Sequence, residues 1–301
     1  MNREVTTVID GERCTGCGLC VRVCPADTLG LRDGKAVVSG SRSLNCGHCA
    51  AVCPAGAIEV RALDDEAVRF ETLRVEPKVL APGEYDPGLL VRLMRSRRSC
   101  RNYRSRPVAK ALLADLVRVG ITAPSGTNSQ QWTFTVLERR EQVIALGDRV
   151  GLFFGKLNRL AANPLARLYS RLLGGDALGR YQRRYARTTA KALRVWREEG
   201  VDLLFHGAPA AILVGSRPGA SCPVEDALLA SQNILLAAHA MGLGSCLIGF
   251  AVEAMRRDRA IQQEWGIPPE ERIHAVIALG YPDEHYLRPA GRKWPLVRFA
   301  G

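Results

Sequence analysis

Cys14, Cys17, Cys20 and Cys24 are followed at once by Pro25, and Cys46, Cys49 and Cys53 by Pro54. A C-x2-C-x2-C-x3-C-P run puts three soft thiolates on one tight loop and sets a fourth back, the spacing that suits iron in a cubane cluster. These residues constrain the fold before any other is considered, because four thiolates must converge on each cluster. The second run is one cysteine short. Spaced like the first, its leading cysteine would fall where the sequence has Ser43.

In such runs the fourth cysteine reaches the other cluster. Cys14, Cys17 and Cys20 with Cys53 are therefore expected to hold one 4Fe-4S cluster, and Cys46, Cys49 and Cys24 three irons of a second, with Ser43 facing the fourth. Three states are open at Ser43. A serine alkoxide could ligate iron as a harder donor that lowers the potential; the corner iron could be lost, leaving 3Fe-4S; or water could hold it labile. An occupied but oxygen-sensitive second site is the expectation adopted. His48 and Asn45 share the loop as surface or supporting groups. A zinc ribbon would want two separated cysteine pairs and four ligands per metal, not seven cysteines in a crossed array. Cys100, Cys222 and Cys246 stand alone and read as small buried apolar residues.

The chain has 301 residues, room for a large domain carrying a small one. Seven of its ten cysteines fall in the first sixty residues at metal-ligand spacing, and in a reducing compartment that means thiolates, not disulfides. No apolar run is long enough to span a bilayer, and residues 1–10 lack a secretory leader pattern, so a cytoplasmic location is expected. The net charge is +12. Residues 1–60 hold six basic and six acidic groups, whereas residues 151–200 hold eleven basic against three acidic. Such an excess is either a solvated face or a means of attracting an acidic redox partner, an anionic cofactor or a membrane surface. Basic residues without interleaved aromatics or a recognition motif argue against nucleic acid.

Val5–Asp10 reads as a strand, Thr28–Ser39 as a hairpin turning at Asp33-Gly34, and Ala57–Val60 as a closing strand. Residues 1–60 thus form a small domain whose clusters stand in for a hydrophobic core. Residues 61–86, with Pro77, Pro82 and Gly83, read as a linker, and a second domain spans 87–301. Within it, Leu89–Arg95 and Val108–Val119 have helical spacing, with Leu112, Leu113, Leu116 and Val117 on one face. Trp132–Leu137, Ala210–Gly215 and His274–Gly280 read as strands, and Glu225–Met241 as a central helix. Residues 151–201 read as an insertion of two or three helices serving as lid or dimer element. The irregular order of helices and strands favours an α+β domain over a doubly wound sheet.

Four motifs follow in order along the second domain. Arg97-Arg98-Ser99-Cys100-Arg101 is a dense set of guanidinium forks suited to phosphate. Ala123-Pro124-Ser125-Gly126-Thr127-Asn128 through Trp132 is a loop of small and amide residues. Gly242-Leu243-Gly244-Ser245-Cys246-Leu247-Ile248-Gly249 ends the central helix, and Arg292-Lys293 stands in the tail. Together they resemble the nitroreductase family of FMN enzymes. With the cysteine runs in front, the chain resembles ferredoxin-nitroreductase fusions, a bacterial-type ferredoxin domain followed by a nitroreductase-like α+β domain.

The resemblance implies that Arg97, Arg98, Ser99 and Arg101 meet the FMN phosphate and ribityl chain, with Arg292 and Lys293 closing on the phosphate. It implies that Pro124, Ser125, Gly126 and Asn128 line part of the isoalloxazine, and that Ile248 and the Gly249 N–H lie at its reactive edge. Some relatives carry an acidic residue where Ile248 stands. It further implies an obligate homodimer with FMN at the interface and Trp294–Phe299 as an embracing tail. The expected function is flavin-centred reduction of a small electron-poor molecule, a nitroaromatic, quinone or activated alkene, with no obligatory side-chain acid. Electrons would enter through the clusters from a one-electron donor such as reduced ferredoxin. No G-x-G-x-x-G follows a strand, so a separate dinucleotide-binding domain is not expected; the resemblance leaves NAD(P)H, stacking directly on the flavin, as the other source. An electron-transfer subunit of a larger complex and an iron-sulfur redox or oxygen sensor are the competing classes. His206, His239 and His274 read as structural.

Overall fold

The computed structural model describes residues 4–173 and 175–300. β1 (Thr7–Ile9) leads into the first cysteine loop, which ends on a single helical turn, α1 (Leu19–Arg22). β2 (Leu29–Arg32) and β3 (Lys35–Val38) form the expected hairpin, with Leu29 opposite Val38. Its turn residues Asp33 and Gly34 sit at φ 51° and 73°, the left-handed pair that a two-residue hairpin demands. α2 (His48–Ala51) repeats the helical turn after the second cysteine loop, and β4 (Ile58–Val60) pairs antiparallel with β1. The buried core here is Cys14, Cys20, Leu29, Ala36 and Ala57. So little apolar area gives the unit scant means of holding itself together without its metal.

Residues 61–86, irregular apart from a 3-10 turn at Asp65–Val68, lead into α3 (Pro87–Ser96), which begins with Asp86 accepting from the Gly88 N–H. α4 (Lys110–Gly120) follows, with Leu113 and Leu116 buried as its spacing predicts. One carboxylate ties the linker to α4. Asp115, fully buried, accepts hydrogen bonds from the backbone N–H groups of Glu71 and Thr72 at 2.9 and 2.6 Å and from the Thr72 hydroxyl at 2.6 Å, and pairs with Arg118 at 2.8 Å.

The remaining elements are β5 (Trp132–Leu137), α5 (Arg140–Ala162), α6 (Pro164–Leu173), α7 (Ala177–Arg184), α8 (Ala186–Glu199), β6 (Ala210–Ser216), α9 (Pro223–Ala240), β7 (Gly244–Leu247), α10 (Gly249–Arg257), α11 (Ala260–Gln263) and β8 (Arg272–Gly280). The strands make one antiparallel sheet in the order β5-β6-β8-β7. Every residue of β6 is buried. Ala211 and Leu213 pack with α5 and α10 on one face, and Ala210, Ile212 and Val214 with α4 and α9 on the other. A strand covered on both faces reads as an unbroken apolar run. A bulge between Val214 and Gly215 requires glycine, because a Cβ there would stand 2.5 Å from the Arg272 carbonyl oxygen.

The fold is α+β, as the order of elements implied, but several boundaries differ. The helical stretch expected from Gly151 begins at Arg140, since Val143, Leu146, Val150 and Phe154 of α5 share one buried stripe that runs through Gly151. β7 lay hidden in a glycine-rich motif; it is edge strand, four residues long, with Leu247 exposed. Cys222 is exposed at the start of α9, not buried like Cys100 and Cys246, because it precedes the first helical turn. Among the described residues no helix is long and apolar enough to cross a membrane.

Burial pushes the Asp115 carboxyl up, but hydrogen bonds from Thr72, Glu71 and Arg118 outweigh it and hold the group at about 2, against an ordinary 3.8. With the folded value depressed, the stabilisation is complete above the unfolded value and disappears as pH falls from 3.8 through about 2. Asp115→Asn should cost about 2 kcal/mol at neutral pH and quicken proteolysis within residues 61–86. Urea midpoints of the two proteins should converge as pH drops through that window.

Candidate functional site

The two cysteine loops are built alike. Gly18 and Gly47, at φ 70° and 76°, turn the chain into α1 and α2, and Gly16 lies so near the hairpin that a Cβ would overlap the Gly34 carbonyl oxygen at 1.9 Å. This packing gathers Cys14, Cys17, Cys20 and Cys53 around one small cavity. Cys24, Ser43, Cys46 and Cys49 surround a second. The grouping is the crossed one expected from the spacing. Backbone N–H groups of Ala36, Thr28 and Ala57 point at the sulfurs of Cys14, Cys24 and Cys53 at 3.4, 3.4 and 3.2 Å. Hydrogen bonds from Ala36 and Gly16 draw the Cys14 thiol below its usual range, favouring thiolate. Among the described residues no three His, Cys, Asp or Glu side chains are close enough to hold a single metal ion; cluster corners need wider spacing. Ser43 lines the second cavity and its Oγ accepts from the Asn45 N–H at 3.0 Å.

The guanidinium cradle lies beside His239, in the last turn of α9. Arg97 is half-buried, and burial, then the adjacent charges of Arg98 and Arg292, depress its ionisation. None of these three arginines pairs with a carboxylate among the described residues. Like charges that converge without a counter-ion make a site for an anion. Ser99 bridges to Ser245 of β7, and the Cys100 N–H donates to the Ser245 carbonyl at 3.0 Å. The Ser245 hydroxyl, 1% exposed, is unpaired among the described residues, an orphan that a bound polar group would satisfy. Burial pushes the Cys100 thiol up to about 12 and makes it inert. Ile248 is buried, whereas Gly249 opens the N-terminus of α10 to free space. Arg292 and Lys293 belong to an exposed tail without regular structure, and Arg292 donates to the Ala290 and Gly291 carbonyls.

The Pro124–Asn128 loop is elsewhere. Asp226, in the first turn of α9 and 4% exposed, accepts from the Gly126 N–H at 2.8 Å and the Ser129 hydroxyl at 3.2 Å, while its carbonyl takes the Trp132 indole N–H at 3.1 Å. Thr127, Asn128 and Gln130 adopt φ of 52°, 54° and 47°, a run of left-handed non-glycine residues that the loop's partners must enforce. Asn128 Nδ2 donates to the carbonyls of Leu44 and Asn45 at 3.3 and 2.9 Å. The loop is thus fastened to the cysteine segment that contains Ser43.

One chain therefore does not bring the two halves of the expected flavin site together. Asp226 holds the loop at the start of α9, and His239, whose ionisation burial and then Arg97 depress, marks the arginines at its end. These residues are about 20 Å apart along the axis. The sheet sets the same division, with β5 and β7 at opposite edges, about 14 Å apart across three strand spacings.

Sequence reasoning missed Asp226 and the wall that α5, α7 and α10 raise beside Gly249. An acidic residue in a helix's first turn was the available sign of the former. The crowding of Arg and Tyr in residues 177–185 was that of the latter. His274, as expected, is structural, meeting the Ser216 hydroxyl at 2.9 Å between neighbouring strands.

Comparison with known proteins bears on the two parts of the chain separately. The nitroreductase family model matches residues 94–281, and the 4Fe-4S dicluster domain model matches residues 13–58. An NADH dehydrogenase of Thermus thermophilus is 32% identical over 189 residues, covering 62% of this chain and 84% of the relative. Nitroreductase NfnB of Mycolicibacterium smegmatis is 25% identical over 213 residues, covering 64% and 82%. A nitroreductase from Bacteroides fragilis, solved with bound FMN, superposes with a TM-score of 0.53 at 21% identity, covering 70% of this chain and 98% of the other.

Removal of iron by a chelator under reducing conditions should unfold residues 4–60 and spare the large sheet. Hydrogen exchange followed by mass spectrometry should show protection lost in β1–β4 and kept in β6 and β8.

Proposed function

Because this chain belongs to the nitroreductase family and carries a 4Fe-4S dicluster domain in front, we propose that it is an FMN-dependent oxidoreductase whose clusters supply electrons for reduction of a small electron-poor acceptor. An iron-sulfur cluster carries electrons singly, whereas FMN accepts them singly and delivers them in pairs. Cys14, Cys17, Cys20 and Cys53 would hold the first cluster, and Cys24, Cys46 and Cys49, with Ser43 at the fourth corner, the second. Arg97, Arg98 and Arg292 would hold the FMN phosphate with Lys293 nearby, Ser99 and Arg101 its ribityl side, and Ile248 and Gly249 its reactive edge.

The observation that carries this reading is the hydrogen bonding of Asn128 to the Leu44 and Asn45 carbonyls. It joins the loop expected to line the isoalloxazine to the second cysteine loop, and so supports an order in which the second cluster is the inner one. Since the arginine cradle and this loop stand at opposite ends of α9, Pro124, Ser125, Gly126 and Asn128 would serve the cofactor held by a second copy of the chain. The cysteine loop would travel with them, so that each protomer's second cluster serves the other protomer's FMN. Exposed Val224, Leu228 and Leu229 on α9, with Trp294 and Phe299 at 98% and 93% exposure in the tail, supply apolar surface for such a dimer. The open cavity beside Gly249, about 890 Å³, supports a small-molecule acceptor, which a buried electron-transfer subunit or a redox sensor would not need. The basic surface suits an acidic one-electron donor such as reduced ferredoxin.

The test is anaerobic flavin bleaching by reduced ferredoxin and by NADPH. Cys46→Ala/Cys49→Ala should slow bleaching by ferredoxin at least tenfold while FMN content holds; full-rate reduction in that variant would sink the relay. Mixed dimers decide the crossing. One protomer carries Cys46→Ala/Cys49→Ala and the other Arg97→Ala/Arg98→Ala. If the loops cross, one FMN is retained per dimer and ferredoxin reduces it at about the wild-type rate; if each chain serves itself, that FMN stays oxidised.

Ser43→Cys should alter the EPR signal of the second cluster. With that cluster innermost, the rate of flavin reduction should change and the preference among donors should not.

A further inference from the structure

The cavity beside Gly249 has a chemistry of its own. One side is the segment from Cys246 to Phe250; the other is built by α5 and α7, with Phe154, Tyr181, Arg184 and Tyr185 contributing. Aromatic rings dominate this wall. Phe250 meets Phe154 and Tyr185 edge-on, at 5.3 and 6.0 Å between ring centres, and Phe154 lies nearly parallel to Tyr181 at 6.3 Å. Tyr181 is fixed by its hydroxyl, which donates to Asn158 Oδ1 at 2.7 Å and meets the Thr189 hydroxyl at 2.9 Å. Rings held in place in this way suit a flat conjugated ligand.

The charges are equally uneven. Arg101, Arg180, Arg184 and Arg257 reach the cavity, against Glu253 as its one carboxylate. Glu253 is already engaged, at 2.7 Å from Arg256 and 2.5 Å from Arg257. Arg180 donates to the Gly175 carbonyl. Arg184 lies over the Tyr185 ring at 5.8 Å and, among the described residues, pairs with no carboxylate. Arg101 is likewise unpaired but belongs to the cofactor cradle. Arg184 is left as a cation on the aromatic wall, lining the same cavity as Ile248 and Gly249 and, among the described residues, paired with no carboxylate.

We propose that this cavity takes a planar aromatic acceptor bearing a carboxylate, whose negative end is bound by Arg184 while its ring rests among Tyr181, Tyr185 and Phe250. This rests on the enzymatic reading of the same site. Arg184 is a specificity residue: it selects the charged acceptor and has no part in electron delivery. The phosphates of NADPH offer the same negative charge from another source, and the experiment separates the two.

Oxidised holoprotein is titrated, without donor or turnover, with 4-nitrobenzoate, with its neutral counterpart 4-nitrobenzamide and with NADPH, following flavin absorbance and heat. The benzoate should bind at least fivefold tighter than the benzamide, and the margin should shrink with added salt. Arg184→Gln should weaken the benzoate about fivefold and leave the benzamide within about twofold, with FMN content unchanged; Arg184→Lys should recover part of the loss. Equal affinity of wild type for the two compounds would overturn the proposal. So would an equal loss for both in Arg184→Gln, a loss confined to NADPH, or departure of FMN, which would make Arg184 part of the cofactor cradle. Because binding is read in the oxidised state, failure of the cluster relay would leave these outcomes untouched, whereas failure of the charge selection would leave the relay standing.

Discussion

The position of α9 against the sheet sets the distance on which everything else depends. The helix is pinned along β6 and β8 by Ala227, Ile234 and Ala238 and against Trp132 of β5 by Ala230, all four fully buried, and a helix packed in this way is a rigid rod of about 1.5 Å per residue. Its first turn holds the Pro124–Asn128 loop through Asp226, and its last turn stands beside the arginines. A small mononucleotide cannot span that length. In the proposed function the two ends would be halves of different sites, and the apolar side chains left exposed on α9 and on the tail suit the second copy that would complete each.

The small N-terminal unit is attached to this rod at two points of different character. Asp115 holds the linker with a buried carboxylate, and Asn128 holds the second cysteine loop through its carbonyls. A buried charge with several donors fixes position firmly. The amide contact does something else, since it joins the second cysteine loop and the Pro124–Asn128 loop in one corner. Ser43 lies in that corner. Under the proposed relay, hydroxyl in place of thiol there would act on the inner of two clusters, which would give the missing cysteine a definite place in the order of electron flow.

The excess of positive charge is likewise divided by the fold. Several arginines of residues 151–200 lie exposed on the surface, and some are neutralised locally, as Arg183 is by Asp176 at 2.8 Å. Arg184, one residue further on, points into the cavity instead. Neighbours in sequence that differ by about 100° around a helix meet different surroundings. A net charge of +8 over fifty residues could not distinguish the solvated arginine from the one that lines a cavity.

Much of the fold was legible because it rests on local pattern. The cysteine spacing with its prolines, the Asp33-Gly34 turn and the apolar runs of β6 and β8 each depend on residues close in sequence, and the structure bears them out. The four motifs of the large domain were legible in the same way, as short segments each with its own chemistry. β7 was not, because an edge strand of four residues in a glycine-rich stretch has too little periodicity. The start of α5 was missed because its apolar stripe crosses the boundary where composition changes. What the sequence by itself determined is therefore the cofactor chemistry, since thiolate and guanidinium spacing is fixed within single loops. Only the tertiary structure decided which cysteine loop lies beside the Pro124–Asn128 loop, that the arginines lie a helix-length away, and which arginines of residues 151–200 line the cavity. Those are relations between segments far apart in sequence, created by packing on a common sheet, and no local pattern encodes them.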